Sequence, residues 1–194
     1  MSDLADRLRF LHQRLRSAYD GIGHSSGRPY VYVVYPPSQE RTLRRLVDNE
    51  FRSHAALTFV HLDLLPLTMQ SLAGQEHRRE TLLNDPARSA GTKESLVRLW
   101  GRALAQRIAE QFAVPAPPER PVVVLRGFAA LHPLGTPTSL MESLAEQEPR
   151  DPATGRVVPM VLLIPGARPP QTSRVYLFLG QERLRQNFYR GEEA

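Results

Sequence analysis

The stretch Tyr30-Val31-Tyr32-Val33-Val34-Tyr35 decides the fold class. It is a continuous β-branched and aromatic run without polar alternation, which is typical of a strand covered on both faces in a parallel sheet. Pro36-Pro37 ends this strand, and Ser38 is placed to cap a helix that continues to about residue 52. A second apolar run follows at residues 57–62, so the chain forms a β-α-β crossover and the two strands are predicted to be parallel.

The rest of the chain repeats this alternation of apolar runs and amphipathic segments. We predict a single α/β domain over residues 1–194, with a mostly parallel five-stranded sheet flanked by helices. The proline-rich segment 115–118 is interpreted as a loop, because a domain boundary there would leave the next strand with too few covering helices. The further predicted helices are 3–19, one or two within 63–86, 92–112, and one that begins at Thr136-Pro137; the further strands are 121–125, 160–164 and 175–179.

The amino-acid composition restricts the cellular compartment and the kinds of reactive or metal-binding site that we expect. The 194 residues are 41% hydrophobic and 23% charged, which is ordinary for a globular domain. Cysteine is absent, so disulfides, thiolate zinc sites and cysteine nucleophiles are excluded. The first residues contain no apolar signal segment, and no stretch approaches the roughly 20 apolar residues that span a bilayer. We therefore expect a cytoplasmic protein without membrane contact.

The residues that follow the predicted strands do not carry a phosphate-binding motif. Ligands bind at the carboxyl ends of strands in parallel α/β sheets. Pro36-Pro37-Ser38-Gln39 contains no glycine and no lysine, and the strand at 121–125 runs into Arg126 where an NTPase would place a magnesium-binding acid. A P-loop-NTPase-like topology fits the element order, but the Walker motifs are missing. A degenerate nucleotide binder, with Arg126 or Arg41 in place of the lysine, is one alternative.

No other arrangement of residues predicts catalysis, a metal or a cofactor. A Gly-x-Ser-x-Gly nucleophile motif is absent. His61 and Asp63 form the only close histidine–carboxylate pair after a strand, and we interpret His61 as a hydrogen-bonded structural residue rather than a base or ligand. His77 and Glu80 are three apart on a predicted helix and are interpreted as a solvated pair.

The loop 126–136 is unusually apolar for a strand-end loop. It follows a buried strand and carries Phe128, Leu131 and Leu134. Two interpretations fit this pattern equally. The apolar side chains either form a surface for a partner or fold back to close the end of the sheet.

The charge of the chain permits a second alternative. The net charge is +5 and the isoelectric point is near 10.1, and arginines are frequent at residues 7–16 and 41–52. These arginines are interleaved with acidic residues rather than gathered in one block. DNA binding by a nucleic-acid-binding accessory module is therefore an alternative function.

Several blocks follow one another in the second half of the chain: Val122-Val123-Val124-Leu125-Arg126-Gly127, His132-Pro133, Leu140-Met141-Glu142-Ser143-Leu144, residues 159–166, residues 176–180 and Asn187-Phe188-Tyr189-Arg190. In this order they resemble the BrxB family of bacterial BREX phage-defence loci. The segments 29–35 and 59–64 are similar to the opening strands of that family. The resemblance implies a non-enzymatic interaction or scaffold factor of an antiviral defence system. Its implied partner is PglZ, an alkaline-phosphatase-like protein, together with other BREX proteins.

A partner interface is predicted from loop position and aromatic character. Its residues lie in the strand-end loop, in the last strand and near the C-terminus. The candidate interface residues are Arg126, Phe128, His132, Tyr176, Phe188 and Tyr189.

Overall fold

Strand β1 (Tyr30–Tyr35) is buried along its whole length, as its apolar sequence predicts. Successive side chains of a strand point to opposite faces of the sheet. The odd-numbered residues of β1 accordingly pack into one core layer, and the even-numbered residues pack into the other. The strand therefore contributes to two hydrophobic cores at once.

The computed structural model describes residues 3–19, 30–53, 57–113, 120–147, 149–151, 154–170, 175–187 and 191–193. The helices are α1 (Leu4–Ser17), α2 (Glu40–Glu50), α3 (Leu64–Gln70), α4 (Glu76–Asn84), α5 (Ser89–Phe112) and α6 (Pro137–Ala145). The other strands are β2 (Thr58–Asp63), β3 (Pro121–Arg126), β4 (Met160–Ala167), β5 (Val175–Phe178), β6 (Arg185–Asn187) and β7 (Gly191–Glu193). The predicted proline-rich loop 115–118 lies outside the described residues.

The strands form one mostly parallel sheet, which confirms the predicted fold class. The order is β2-β3-β4-β1-β7, and every neighbouring pair in that path is parallel. Beyond this path, β5 pairs antiparallel with the end of β4, and β6 pairs antiparallel with β5. The predicted count of five strands is wrong, because the described residues form seven. The two missed strands, β6 and β7, are three-residue polar segments with no apolar pattern to reveal them.

Helices cover both faces of the sheet. Leucines 4, 8, 11 and 15 of α1 pack with the buried side of α2 against the odd-numbered face of β1. The buried sides of α5 and α6, including Trp100, pack against the opposite face. The predicted helical region 63–86 is divided between α3 and α4. In the described parts of the chain, no helix combines the length and the apolarity that crossing a bilayer requires.

Of the two predicted helix caps, Thr136 is confirmed and Ser38 is wrong. Thr136 does begin α6, where its hydroxyl accepts a hydrogen bond from the Ser139 amide and Pro137 occupies the first turn. Ser38 does not cap α2. It lies inside a short 3-10 turn, Pro37–Gln39, and α2 begins after Gln39 without a side-chain cap. Pro37 occupies the start of that turn, where the fixed φ of proline suits a first helical turn.

Candidate functional site

The carboxyl ends of the parallel strands lie at one edge of the sheet, where α/β proteins bind their ligands. Polar side chains from the ends of β1, β2 and β3 meet one face of α2 at this edge. We call this group the strand-end cluster. It consists of Tyr35, Glu40, Arg44, Asp48, Asp63 and Arg126.

Helix α2 supplies half of the strand-end cluster because three of its residues share one face. Glu40, Arg44 and Asp48 are spaced by four residues, which places their side chains in a row along the helix. Arg44 Nε donates to Glu40 Oε1 at 2.7 Å, and its Nη1 donates to Asp63 Oδ2 at 2.6 Å. The hydroxyl of Tyr35, the last residue of β1, donates to Glu40. Arg44 thus connects α2 to the end of β2.

Arg126 makes the second connection across the strand-end cluster. Its Nη1 donates to Asp48 Oδ1 at 2.8 Å, and its Nε lies 3.7 Å from Asp63 Oδ2. Asp63 therefore lies between two guanidinium groups. Its other oxygen, Oδ1, accepts the Leu65 amide at 3.0 Å and caps α3. The two oxygens of the Asp63 carboxylate thus connect the end of β2 to α2, α3 and β3.

Gly127 is required by the close approach of the Asp63 carboxylate. The backbone of Gly127 has φ +79°, a left-handed conformation that side-chain-bearing residues rarely adopt. A Cβ atom at this position would collide with Asp63 Oδ1. The Arg126-Gly127 dipeptide therefore serves the architecture of the cluster rather than forming part of a glycine-rich phosphate loop.

Burial and hydrogen bonding shift two pKa values in the strand-end cluster. Burial raises the pKa of Tyr35 far above its ordinary value, and the hydrogen bond to Glu40 and the charge of that carboxylate raise it further. Burial by itself would lower the pKa of Arg44. The hydrogen bonds that Arg44 donates to Asp63 and Glu40 outweigh this effect and raise the pKa of Arg44 above its ordinary value. Both residues stay in their protonated forms.

The charge balance of the strand-end cluster does not favour a phosphate ligand. Three carboxylates face two guanidinium groups, so the cluster has a net charge of −1, and both guanidinium groups already bind carboxylates. The adjoining Pro36-Pro37 has no backbone N–H groups with which to bind an anion. Arg41, the other candidate for the lysine position, is exposed and is not in this row of α2. The charged side chains of the strand-end cluster are thus engaged in ion pairs with one another.

An apolar surface lies directly beside the strand-end cluster. Leu65 and Met69 lie four residues apart on α3, and their side chains are 51% and 65% exposed. We call these two residues the α3 ridge. The base of α3 packs on the 3-10 turn Phe128–Leu131 of the strand-end loop. The same loop exposes Ala129 and Pro133.

The structure separates the predicted interface residues. Phe128 and Tyr176 are fully buried and offer no surface to a partner, so their assignment to an interface is wrong. Burial of Phe128 and Leu131 favours the alternative in which the loop folds back onto the sheet. Arg126 and His132 are partly exposed, and Arg126 belongs to the strand-end cluster. The predicted interface residues Phe188 and Tyr189 lie outside the described residues.

The His61–Asp63 pair differs from a catalytic pair in its contacts. His61 Nε2 lies 2.9 Å from the Phe51 carbonyl oxygen, so this nitrogen carries the proton and donates. The carboxylate of Asp63 is directed to Arg44 and Arg126 instead of His61. Among the described residues, no three histidine, aspartate or glutamate side chains are grouped in a way that could hold a metal ion.

Neither the row formed by Glu40, Arg44 and Asp48 on α2 nor the α3 ridge was predicted from the sequence. The spacing of Glu40, Arg44 and Asp48 was available in the sequence, but interleaved charges on a helix usually face solvent. Leu65 and Met69 were also visible as an i, i+4 apolar pair, which normally indicates a buried face. Only the packing of α3 shows that this pair faces outward.

The chain was also compared with known proteins. No family model, curated protein or solved structure matches it.

Proposed function

We propose that this protein is a non-enzymatic docking component of a bacterial BREX-type phage-defence system, and that it works in the cytoplasm. Its proposed partner is a PglZ-like protein of the alkaline-phosphatase superfamily, with other BREX proteins as further partners. The docking role is supported by one observation, the exposure of Leu65 and Met69 side by side at the carboxyl edge of the sheet. The system and the partner are suggested by the resemblance of the apolar sequence blocks.

The α3 ridge has the composition of an interface centre. Full burial of a leucine or methionine side chain stabilises association by about 1.5–3 kcal/mol relative to full exposure. Methionine is enriched in interface cores, and charged groups commonly form the surrounding rim. The charged strand-end cluster reaches the start of the ridge, because Asp63 accepts the Leu65 amide, and it can supply part of such a rim. Burial of the α3 ridge against a partner is therefore favoured in free energy over its exposure to solvent.

The base of the α3 ridge is held rigidly, which favours docking. Asp63 caps α3 and is itself fixed by Arg44. The buried residue Leu64 of α3 belongs to the same core cluster as Phe128, and α3 packs on the turn that contains Phe128. A surface that is ordered before binding loses less conformational entropy when the partner arrives.

Size-exclusion chromatography of the protein mixed with purified PglZ-like protein tests this proposal. We expect the two proteins to elute together, earlier than either protein alone. Separate elution at micromolar concentrations, with both proteins folded by circular dichroism, would overturn the proposed partner.

The nucleic-acid alternative has less support from the described contacts. Arginines of α1 are paired with acidic groups, Arg9 with Asp6 and Arg14 with Glu192. Arginines that are committed to carboxylates bind phosphates less readily. Binding to duplex DNA that weakens steeply with added salt would favour this alternative over protein docking.

A further inference from the structure

Among the described residues, no strand pairs with the outer edge of β2, so the sheet leaves part of the β2 backbone unpaired. Strand β2 is the outermost strand at its end of the path β2-β3-β4-β1-β7. In a parallel sheet, alternate residues direct their N–H and C=O groups to opposite neighbours. Thr58 N–H donates to the Arg120 carbonyl oxygen at 3.4 Å, on the β3 side. The backbone groups of Phe59 and His61 are therefore directed to the open edge.

The first half of this edge is already capped. The Phe59 amide donates to Ser53 Oγ at 2.9 Å, and Ser53 Oγ donates to the Phe59 carbonyl oxygen at 3.5 Å. A serine side chain thus takes the place that a neighbouring strand would occupy. Two residues further along, the edge at His61 faces a cavity instead.

This cavity has a volume of about 520 Å³, which is within the usual range of ligand pockets. It lies between the end of β2, helix α3 and helix α5. Its neutral lining residues include Leu62, Leu67, Gln70, Ser71, Ala103 and Gln106. Apolar and amide groups thus lie along an open strand edge. We call this cavity, together with the β2 edge at His61, the groove.

We propose that this edge binds an extended, uncharged segment of a partner protein, which adds to β2 as a further strand beside His61. Strand addition uses main-chain hydrogen bonds for affinity and adjacent pockets for side-chain selection. The groove supplies both features through the β2 backbone and the cavity. This contact is separate from the α3 ridge and does not depend on it.

The charges in the groove select an uncharged segment. Arg107 Nη1 lies 3.1 Å from Glu110 Oε2, and Asp63 is held by Arg44 at 2.6 Å. Arg107, Glu110 and Asp63, which border the cavity, thus each have a counter-charge within the chain. A charged peptide side chain would lose hydration without gaining a counter-charge, whereas peptide amides match the glutamine side chains.

Selection from a displayed library of random peptides, with the full chain as bait, tests this proposal. We expect enrichment of peptides rich in uncharged β-branched residues, and loss of binding when proline replaces a central residue of an enriched peptide. Ala103→Arg, which fills the groove, is expected to lower the affinity for enriched peptides at least about tenfold. Ala90→Arg, at an exposed position near the start of α5, is the matched control and keeps the parental affinity.

Hydrogen exchange distinguishes strand addition from other binding in the groove. The His61 amide is expected to exchange more slowly in the peptide complex, since it donates to the added strand. Unchanged exchange at His61, enrichment of charged peptides, or equal binding by Ala103→Arg would each overturn the proposal. Concentration-dependent dimerisation that Ala103→Arg abolishes would replace the peptide by a second copy of the chain and would also overturn it.

Discussion

Asp63 Oδ2 lies 2.6 Å from Nη1 of Arg44, and this ion pair joins the end of β2 to helix α2. The same carboxylate caps α3 through its other oxygen. One side chain thus connects the closed strand-end cluster to the helix that carries the α3 ridge. At the sheet edge where other α/β proteins hold a ligand, this protein has an internal ion-pair network.

Asp63→Asn tests the contribution of charge at this junction. Asparagine keeps the capping oxygen for α3 but removes the negative charge between the guanidinium groups. The two side chains are only partly buried, so we expect a loss of about 1–2 kcal/mol in the free energy of unfolding, measured by urea denaturation. The control Glu182→Gln alters an exposed pair with Arg185 and should change stability by less than about 0.5 kcal/mol. Equal stability of the two variants would contradict the linking role of Asp63.

Gly127→Ala tests the close approach of Asp63 to the backbone. The variant forces a side chain into a left-handed conformation and also into the carboxylate. Gly74→Ala separates the two effects, because Gly74 has φ +77° and an added Cβ would meet nothing within 4 Å. We expect both variants to be destabilised in urea, by about 1–3 kcal/mol for backbone strain alone, and Gly127→Ala to lose more. Equal losses would show that the Asp63 contact is unimportant.

Raised tyrosine pKa values predict an unusual alkaline titration. Burial raises the pKa of both Tyr35 and Tyr176 above the ordinary value of about 10. Their contribution to stability is therefore complete below pH 10 and falls as the pH rises further, since the unfolded chain releases protons that the folded chain retains. We expect ultraviolet absorbance to show fewer than the six tyrosines ionising while the protein stays folded.

Tyr35→Phe is the control for this titration. The folded variant should show the same absorbance change as the parent, whereas the unfolded variant should lose one tyrosine of six. Ionisation of all six tyrosines near pH 10, with circular dichroism unchanged, would contradict the burial of these hydroxyl groups.

The fold class was predictable because the strands of the parallel sheet are strongly apolar. The apolar runs that form β1, β3 and β4 are buried nearly throughout, so their apolar composition is enough to predict buried strands. Strands β6 and β7 could not be found this way. They are short and polar, and their pairing depends on neighbouring strands rather than on their own residues.

The candidate site was less predictable because it depends on contacts between distant residues. The absence of phosphate-binding glycines could be read directly from the sequence around Pro36-Pro37. The burial of Phe128 and Tyr176 could not, because an aromatic residue in a loop or at a sheet margin suits either a core or an interface. Their placement follows from how α3, α5 and β5 pack around them.

Isothermal titration of the PglZ-like protein with matched surface variants tests the docking role of the α3 ridge most directly. Leu65→Glu/Met69→Glu places two charges on the ridge, and Phe10→Glu places one charge on α1 at an equally exposed apolar position, 62% accessible. We predict that the ridge variant binds at least about a hundredfold more weakly than the parent, while Phe10→Glu binds like the parent. Equal binding by the ridge variant and the parent would contradict the account.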